Sequence, residues 1–154
     1  MRPRPSLFLT FGCLVIGCTV ALARIGETEE QCDERYGKPF AVSEDKVERT
    51  YKKGEFHMRA QFHDGKCDLI MFAKPDGTPQ EISESERDVL MKANGGGREW
   101  QKSKDGAEVM HFETRDGELY ALYNSRGLMI ATREATKRKD AAKKAEMEKK
   151  LKGF

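Results

Sequence analysis

Apolar and polar residues alternate between positions 55 and 62. Phe56, Met58, Ala60 and Phe62 are apolar, and the residues between them are polar or charged. This period of two is typical of a β-strand with one buried and one solvated face. Turn residues separate this segment from further short segments on either side. The first half of the chain therefore predicts four consecutive antiparallel strands, at 40–42, 47–51, 55–62 and 67–74.

Each half of the chain also begins with a helix signal. Thr28 and Gln31 have the spacing of a capping box, in which two side chains satisfy the first free amides of a helix, and Gly37 ends the predicted helix. Ser83 and Glu86 repeat the signal in the second half. Turn residues then predict four more strands, at 98–103, 107–114, 118–123 and 128–133.

The spacing of the turns suggests a duplication. Lys53-Gly54 precedes Asp116-Gly117 by 63 positions, and Asp64-Gly65 precedes Arg126-Gly127 by 62. We therefore expect an α+β fold, with one antiparallel sheet built from tandem helix-plus-β-meander repeats at 24–77 and 78–132. Both helices should cover one face of the sheet. The alternative is one irregular α+β domain with turns at ordinary spacing.

The first 23 residues have the pattern of an export signal. Arg2 and Arg4 precede an uncharged run at 7–20, and Ala21 and Ala23 are the small residues that signal peptidase reads. The mature protein should then begin at Arg24 and be periplasmic or secreted. In the alternative interpretation, residues 15–18 form a lipobox, and an acylated Cys18 anchors the protein to a membrane.

Charge is unevenly distributed in the mature chain. The full sequence has 28 basic and 26 acidic residues, and two of the basic residues belong to the leader. Residues 133–154 carry a net charge of +5, so the body at 24–132 carries −5. The Ala-, Lys- and Glu-rich tail should be a solvated helix or disordered, and dispensable for folding. Its charge could make weak contact with anionic lipid headgroups or with the acidic body of a partner.

Cysteine use is consistent with export. Cys32 and Cys67 are the two cysteines outside the leader. A pair in an oxidising compartment predicts a disulfide bond. The alternative is two buried thiols that act as small hydrophobic side chains.

A family resemblance accompanies the first helix signal. The segment from Ile25 to Cys32, followed by Tyr36-Gly37-Lys38-Pro39, resembles the opening of the SmpA/OmlA-type small envelope lipoproteins. That resemblance implies two helices packed on a short antiparallel sheet. The tandem plan is also similar to the β-lactamase-inhibitor-protein-like fold, which implies one continuous sheet with a curved binding face. Neither resemblance identifies a partner.

Catalytic chemistry has no recognisable pattern here. His57, His63 and His111 lack the spacing of a metal or general-base motif, and the glycines at 95–97 leave a helix where a phosphate loop would enter one. We therefore expect no enzymatic activity, no cofactor and no metal. Because the body is acidic and the leader directs export, we also expect no nucleic-acid partner.

Aromatic residues in the second half favour a binding function instead. Trp100, Phe112, Tyr120 and Tyr123 come from three predicted strands, and Trp and Tyr are enriched at interface hot spots. Packing in the core is the alternative for most of them. The sequence thus predicts an exported domain that binds another envelope or secreted protein, or alternatively a lipid-anchored envelope-assembly or structural component.

Overall fold

The computed structural model describes residues 24–75, 81–106, 108–124 and 126–152. Within these ranges the fold is α+β, with one eight-stranded antiparallel sheet and three helices. The helices are α1 (Glu29–Tyr36), α2 (Glu84–Asn94) and α3 (Arg133–Leu151). The strands are β1 (Ala41–Val42), β2 (Glu48–Lys53), β3 (Phe56–His63), β4 (Lys66–Ala73), β5 (Trp100–Asp105), β6 (Met110–Thr114), β7 (Leu119–Asn124) and β8 (Gly127–Thr132). The predicted fold class and antiparallel sheet are confirmed.

The two capping boxes form as their spacing predicts. The Thr28 hydroxyl accepts a hydrogen bond from the Gln31 backbone amide, and the Gln31 side chain accepts one from the Thr28 amide. Ser83 and Glu86 make the same reciprocal pair at α2. Each box satisfies two amides that have no partner inside the helix, and so fixes where the helix begins.

The strand order places the two halves of the chain side by side. It runs β1-β2-β3-β4-β8-β7-β6-β5, so each half contributes four consecutive neighbours. The fourth strands of the two halves meet at the centre, where Ile70 pairs with Ile130 and Met71 with Met129. The paired residues of β4 and β8 are more than 50 positions apart in the sequence.

Both of the first two helices contribute to one hydrophobic core. Cys32 and Tyr36 of α1 and Leu90 and Met91 of α2 belong to the same buried cluster. The strand residues of that cluster are Tyr51, Met58, Ala60, Phe62, Cys67, Ile70, Phe72, Phe112, Ala121, Leu128 and Ile130. Burial of this apolar surface is the main stabilising contribution to the fold.

The C-terminal helix begins against the sheet and then extends into solvent. Ala135, in the first turn of α3, is 4% exposed and packs with Leu69 and Ala131 in a second, smaller cluster. Arg138 forms an ion pair with Asp68 of β4. From Lys137 to Lys152 every residue is exposed. The expected basic helix is present, and its first turn packs on the sheet.

The predicted disulfide bond is absent. Cys32 and Cys67 are free thiols, 0% and 1% exposed, inside the main core. The Cys67 thiol is hydrogen-bonded to the backbone carbonyl oxygen of Leu69 at 3.6 Å. A hydrogen bond with Cys32, together with burial, raises the pKa of Cys67 well above its ordinary value. The two residues therefore act as small core side chains, which was the alternative interpretation.

Some predictions fall outside the described residues. The export signal, its cleavage site and Cys18 all lie in residues 1–23. The end of the proposed first repeat falls within residues 76–80, and the last two residues of the tail are also outside the described ranges.

Candidate functional site

An apolar surface lies on the side of the sheet that faces away from the main core. Ile70 and Phe72 of β4 point into that core. Side chains alternate along a strand, so Met71 and Ala73 point to the opposite side of the sheet. Met129 is the neighbour of Met71 across the β4–β8 pair, and Leu122 is the neighbour of Met129 across β7–β8. We call these four partly exposed residues, Met71, Ala73, Leu122 and Met129, the outer apolar patch.

Two shallow clefts extend across the outer apolar patch. One has a volume of about 310 Å³, and the other has a volume of about 490 Å³. The smaller cleft includes the side chains of Val109, Leu122 and Met129, and the larger includes Phe40 and Thr50. Both include Met71 and Ala73, so together they form one extended depression.

The pairing register gives this depression its direction. Arg59 of β3 lies opposite Met71, and His111 of β6 lies opposite Leu122. A single row of side chains thus crosses five neighbouring strands, with Met71, Met129 and Leu122 at its centre. Gly127 allows β8 to approach β4 closely beside this row, because a Cβ atom there would lie 2.3 Å from the Phe72 carbonyl oxygen.

Cationic side chains border the two clefts. Arg59, Lys74 and Arg126 line them, together with His57, and none of the residues that line either cleft is acidic. Lys74 is ion-paired with Glu86 at 2.9 Å, and Arg59 with Glu48 at 3.2 Å. The carboxylates lie outside the clefts, and the Lys74 side chain is only 6% exposed. Arg59 and Arg126 therefore supply the exposed positive charge of what we call the cationic border of the clefts.

Three of the four aromatic residues singled out in the sequence lie on the core side of the sheet. Phe112 is 9% exposed and belongs to the main core, and Trp100 and Tyr123 pack against it. The Trp100 indole N–H donates to the Met91 carbonyl oxygen at 2.9 Å. The Tyr123 hydroxyl donates to the Ile82 carbonyl oxygen at 2.5 Å. The first hydrogen bond joins β5 to α2, and the second joins β7 to the segment that precedes α2.

A buried arginine completes this aromatic group. The Arg87 guanidinium lies 5.1 Å from the ring centres of both Phe112 and Tyr123, and it pairs with Asp88 at 2.8 Å. Cation–π contacts of this kind stabilise a partly desolvated charge. The cluster therefore holds α2 on the second half of the sheet.

Tyr120 lies on the other side of the sheet, close to the patch. Its hydroxyl is hydrogen-bonded to the His111 imidazole Nδ1. Burial raises the pKa of Tyr120, and the nearby carboxylates of Glu113 and Asp140 raise it further. Tyr120 is thus the one residue among the four sequence candidates that lies beside the outer apolar patch.

The histidines do not converge on one point. His57 contacts the Phe40 ring, with ring centres 5.5 Å apart, and His63 lines a separate cleft of about 360 Å³ beneath α3. His111 is held by Tyr120, as described above. Among the described residues, no group of three or more His, Cys, Asp or Glu side chains could hold a metal ion. Nor is any helix in those residues long and apolar enough to cross a membrane.

Comparison with known proteins gives no assignment. The chain matches no protein-family profile, no curated protein and no solved structure.

The residues that form the outer apolar patch were not among the sequence candidates. A local signal existed for β4, where Leu69, Met71 and Ala73 alternate with other apolar residues and so make both faces of the strand apolar. The proximity of Met71 to Met129 and Leu122 depends on the pairing of β4 with β8 and of β8 with β7. Periodicity within one strand cannot indicate which distant strand lies beside it.

Proposed function

We propose that this chain is an exported, periplasmic or secreted protein-binding domain without catalytic activity, and that the outer apolar patch is its binding surface. The observation that carries the proposal is the row Met71, Met129 and Leu122, which remains partly exposed on three neighbouring strands. Contiguous apolar surface on a folded domain is typical of an interaction site. The export signal in the sequence supports the location.

We further propose that the two halves are structural repeats. The strand order supports this, because β1–β4 and β8–β5 mirror each other about the central β4–β8 pair. By this arrangement β3 corresponds to β7, and β2 corresponds to β6. The shared core of α1 and α2 supports the placement of both helices on one face. On the opposite face the first turn of α3 covers Leu69 and Ala131, and the outer apolar patch beside it stays partly exposed.

The second candidate is a lipid-anchored envelope-assembly or structural component acylated at Cys18. The sequence of residues 15–18 is its only support. Intact mass of the exported protein separates the two candidates. A chain that begins at Arg24 supports the soluble form, and a diacylglyceryl-modified chain that begins at Cys18 supports the anchored form.

Binding through the patch can be tested with one pair of surface variants. Leu122→Asp places a carboxylate within the patch, next to Met129. Val89→Asp places one on the exposed side of α2, where Val89 is 61% exposed. Each purified variant is used to capture proteins from an extracellular or envelope extract. We expect Leu122→Asp to lose a protein that the wild type and Val89→Asp both retain.

Thermal unfolding of both variants completes this test, since it shows that Leu122→Asp is folded at the assay temperature. Capture that is equal for all three proteins would contradict binding through the patch.

A further inference from the structure

We propose that the occupant of the outer apolar patch is an amphipathic α-helix of a different protein, with aliphatic or aromatic residues on one side and Asp or Glu residues flanking them. This inference rests on the proposed protein-binding function and adds the chemistry of the partner. Three observations support it: the direction of the clefts across the strands, the backbone hydrogen bonds beneath them, which are already used within the sheet, and the charge at their border.

The direction and length of the surface fit a helix. The row from Arg59 to His111 crosses β3, β4, β8, β7 and β6, which are consecutive in the sheet. Four strand spacings amount to about 19 Å. A helix rises 1.5 Å per residue, so about 13 residues would cover the row and place three or four apolar side chains on it.

Addition of a β-strand does not fit this surface. β4, β8 and β7 are interior strands, and each is paired on both sides. Their backbone amides and carbonyls are therefore used within the sheet, and a partner must bind through side chains. A helix satisfies its own backbone hydrogen bonds, so it can place an apolar side on the patch without leaving polar groups unpaired.

The border of the clefts selects for acidic flanks. Arg59 and Arg126 are exposed, and no carboxylate lines either cleft. The Lys74 side chain is 6% exposed and is ion-paired with Glu86 and Glu55, so the two arginines provide the accessible positive charge. A carboxylate on the partner would face these arginines, whereas a lysine there would be repelled. Complementary charge of this kind favours one class of partner and disfavours the other.

Charge also argues against a second copy of α3 as the occupant. α3 exposes Met147 and Leu151 four residues apart, so it has a small apolar side of its own. The tail that contains it carries a net charge of +5, and lysines at 143, 144 and 150 lie close to those two residues on the helix. The cationic border of the clefts would repel this helix.

Two methionines make the surface tolerant of different apolar side chains. Met71 and Met129 pack against the smaller cluster formed by Leu69, Ala131 and Ala135. The unbranched thioether side chain adapts to neighbours of different shape. We therefore expect the partner to be defined by its pattern of apolar and acidic positions more than by any single residue.

The test is a selection from a random 16-residue peptide display library on the immobilised full-length mature protein. We expect the enriched peptides to share apolar residues at i, i+3 or i+4 and i+7, with an excess of Asp and Glu, and to become helical when bound. Synthetic copies of the enriched peptides then provide the probe for measuring affinity.

Variants locate the binding of those peptides. Leu122→Asp should weaken it more than tenfold, and the Arg59→Glu/Arg126→Glu double variant should weaken it about tenfold at low salt and less at high salt. The matched controls are Val89→Asp and Lys92→Glu on α2, which should leave the affinity unchanged.

The outcomes separate this inference from the proposed function. Basic, uncharged or extended peptides that are lost with Leu122→Asp would overturn the acidic-helix inference and leave protein binding at the patch in place. Binding that is insensitive to Leu122→Asp would contradict both. A library that yields no enriched sequence would also overturn the inference.

Discussion

The indole N–H of Trp100 donates a hydrogen bond to the backbone carbonyl oxygen of Met91, at 2.9 Å. This contact joins the edge strand β5 to the last turn of α2. The same carbonyl also accepts from the Gly95 amide at 2.8 Å, so the end of the helix and the start of the strand share one acceptor. Trp100, which the sequence offers as an interface residue, therefore connects β5 to α2 inside the fold.

Replacement of Trp100 tests that role. Trp100→Phe keeps an aromatic ring and removes the donor, so we expect a loss of about 1 kcal/mol in the free energy of unfolding. Gly95→Ala should be destabilising by about 1–3 kcal/mol, because the new Cβ atom would lie 2.8 Å from the Trp100 Nε1 atom. Chemical denaturation of both single variants and the double variant measures these values. Strict additivity in the double variant would contradict the direct contact.

The packing of α3 gives a second prediction, in two parts of the same helix. Ala135→Glu buries a carboxylate against Leu69 and Ala131, so it should reduce the free energy of unfolding by more than about 2 kcal/mol. The matched variant Ala141→Glu lies on an exposed position of α3 and should change it by less than about 0.5 kcal/mol. Equal effects in thermal or chemical unfolding would show that the first turn does not pack.

Truncation separates the same two parts of the tail. Every described residue from 143 to 152 is exposed. Removal of residues 143–154 should therefore leave the melting temperature nearly unchanged. Removal of residues 133–154 also uncovers Leu69 and Ala131, so the melting temperature should fall clearly. This replaces the expectation from sequence that the whole tail is dispensable.

The local elements could be predicted from sequence, and the reasons are specific. Thr28 and Ser83 fix the starts of α1 and α2 because their capping partners lie three residues away. The alternation of Phe56, Met58 and Ala60 defines the core side of β3 because side chains alternate along any strand. Each of these signals acts over fewer than about eight residues, and each was correct to within a few residues.

The functional surface depends on contacts that sequence patterns do not contain. Met71 and Met129 are neighbours across β4–β8 although 58 positions separate them. Trp100 and Tyr123 each combine a large ring with one polar group, which suits an interface or a hydrogen bond inside the core. Residue type alone does not distinguish these two roles. The disulfide prediction used the number of cysteines and the export signal, whereas packing of Cys32 and Cys67 in the core is decided by tertiary contacts.

The two cysteines give a third prediction. In the native protein, both thiols should react slowly with alkylating reagents, because they are buried and the pKa of Cys67 is raised. After unfolding without reductant, two thiols should become modified in a chain that begins at Arg24, as measured by intact mass. A mass 2 Da below that of the dithiol, with no alkylation after unfolding, would restore the disulfide interpretation.

The capping box of α2 gives a prediction for acid stability. The Ser83 backbone amide donates to the Glu86 carboxylate at 2.7 Å, and this hydrogen bond, with Lys74 adding to it, lowers the pKa of Glu86. The stabilising effect is fully present above the ordinary glutamate pKa of about 4.3. It is lost as the pH falls through the lowered value, because the unfolded chain binds the proton first.

Glu86→Gln isolates that contribution. The variant cannot titrate at this position, so the difference in unfolding free energy between wild type and variant should shrink as the pH is lowered from 6 to 3. Denaturation at a series of pH values measures it. Glu84→Gln, an exposed neighbour in the same helix turn, serves as the control for removing one carboxylate from that turn. A difference that stays constant with pH would contradict the role assigned to the ionised carboxylate.

The binding surface itself is tested most directly by site-specific photocrosslinking. A benzophenone amino acid is introduced at Leu122 in the outer apolar patch, or at Val89 on the exposed side of α2, and the exported protein is irradiated in the producing cells. We expect a discrete protein adduct from position 122 and none from position 89. Adducts from both positions in equal amount, or from position 89 alone, would contradict the assignment of the patch as the binding surface.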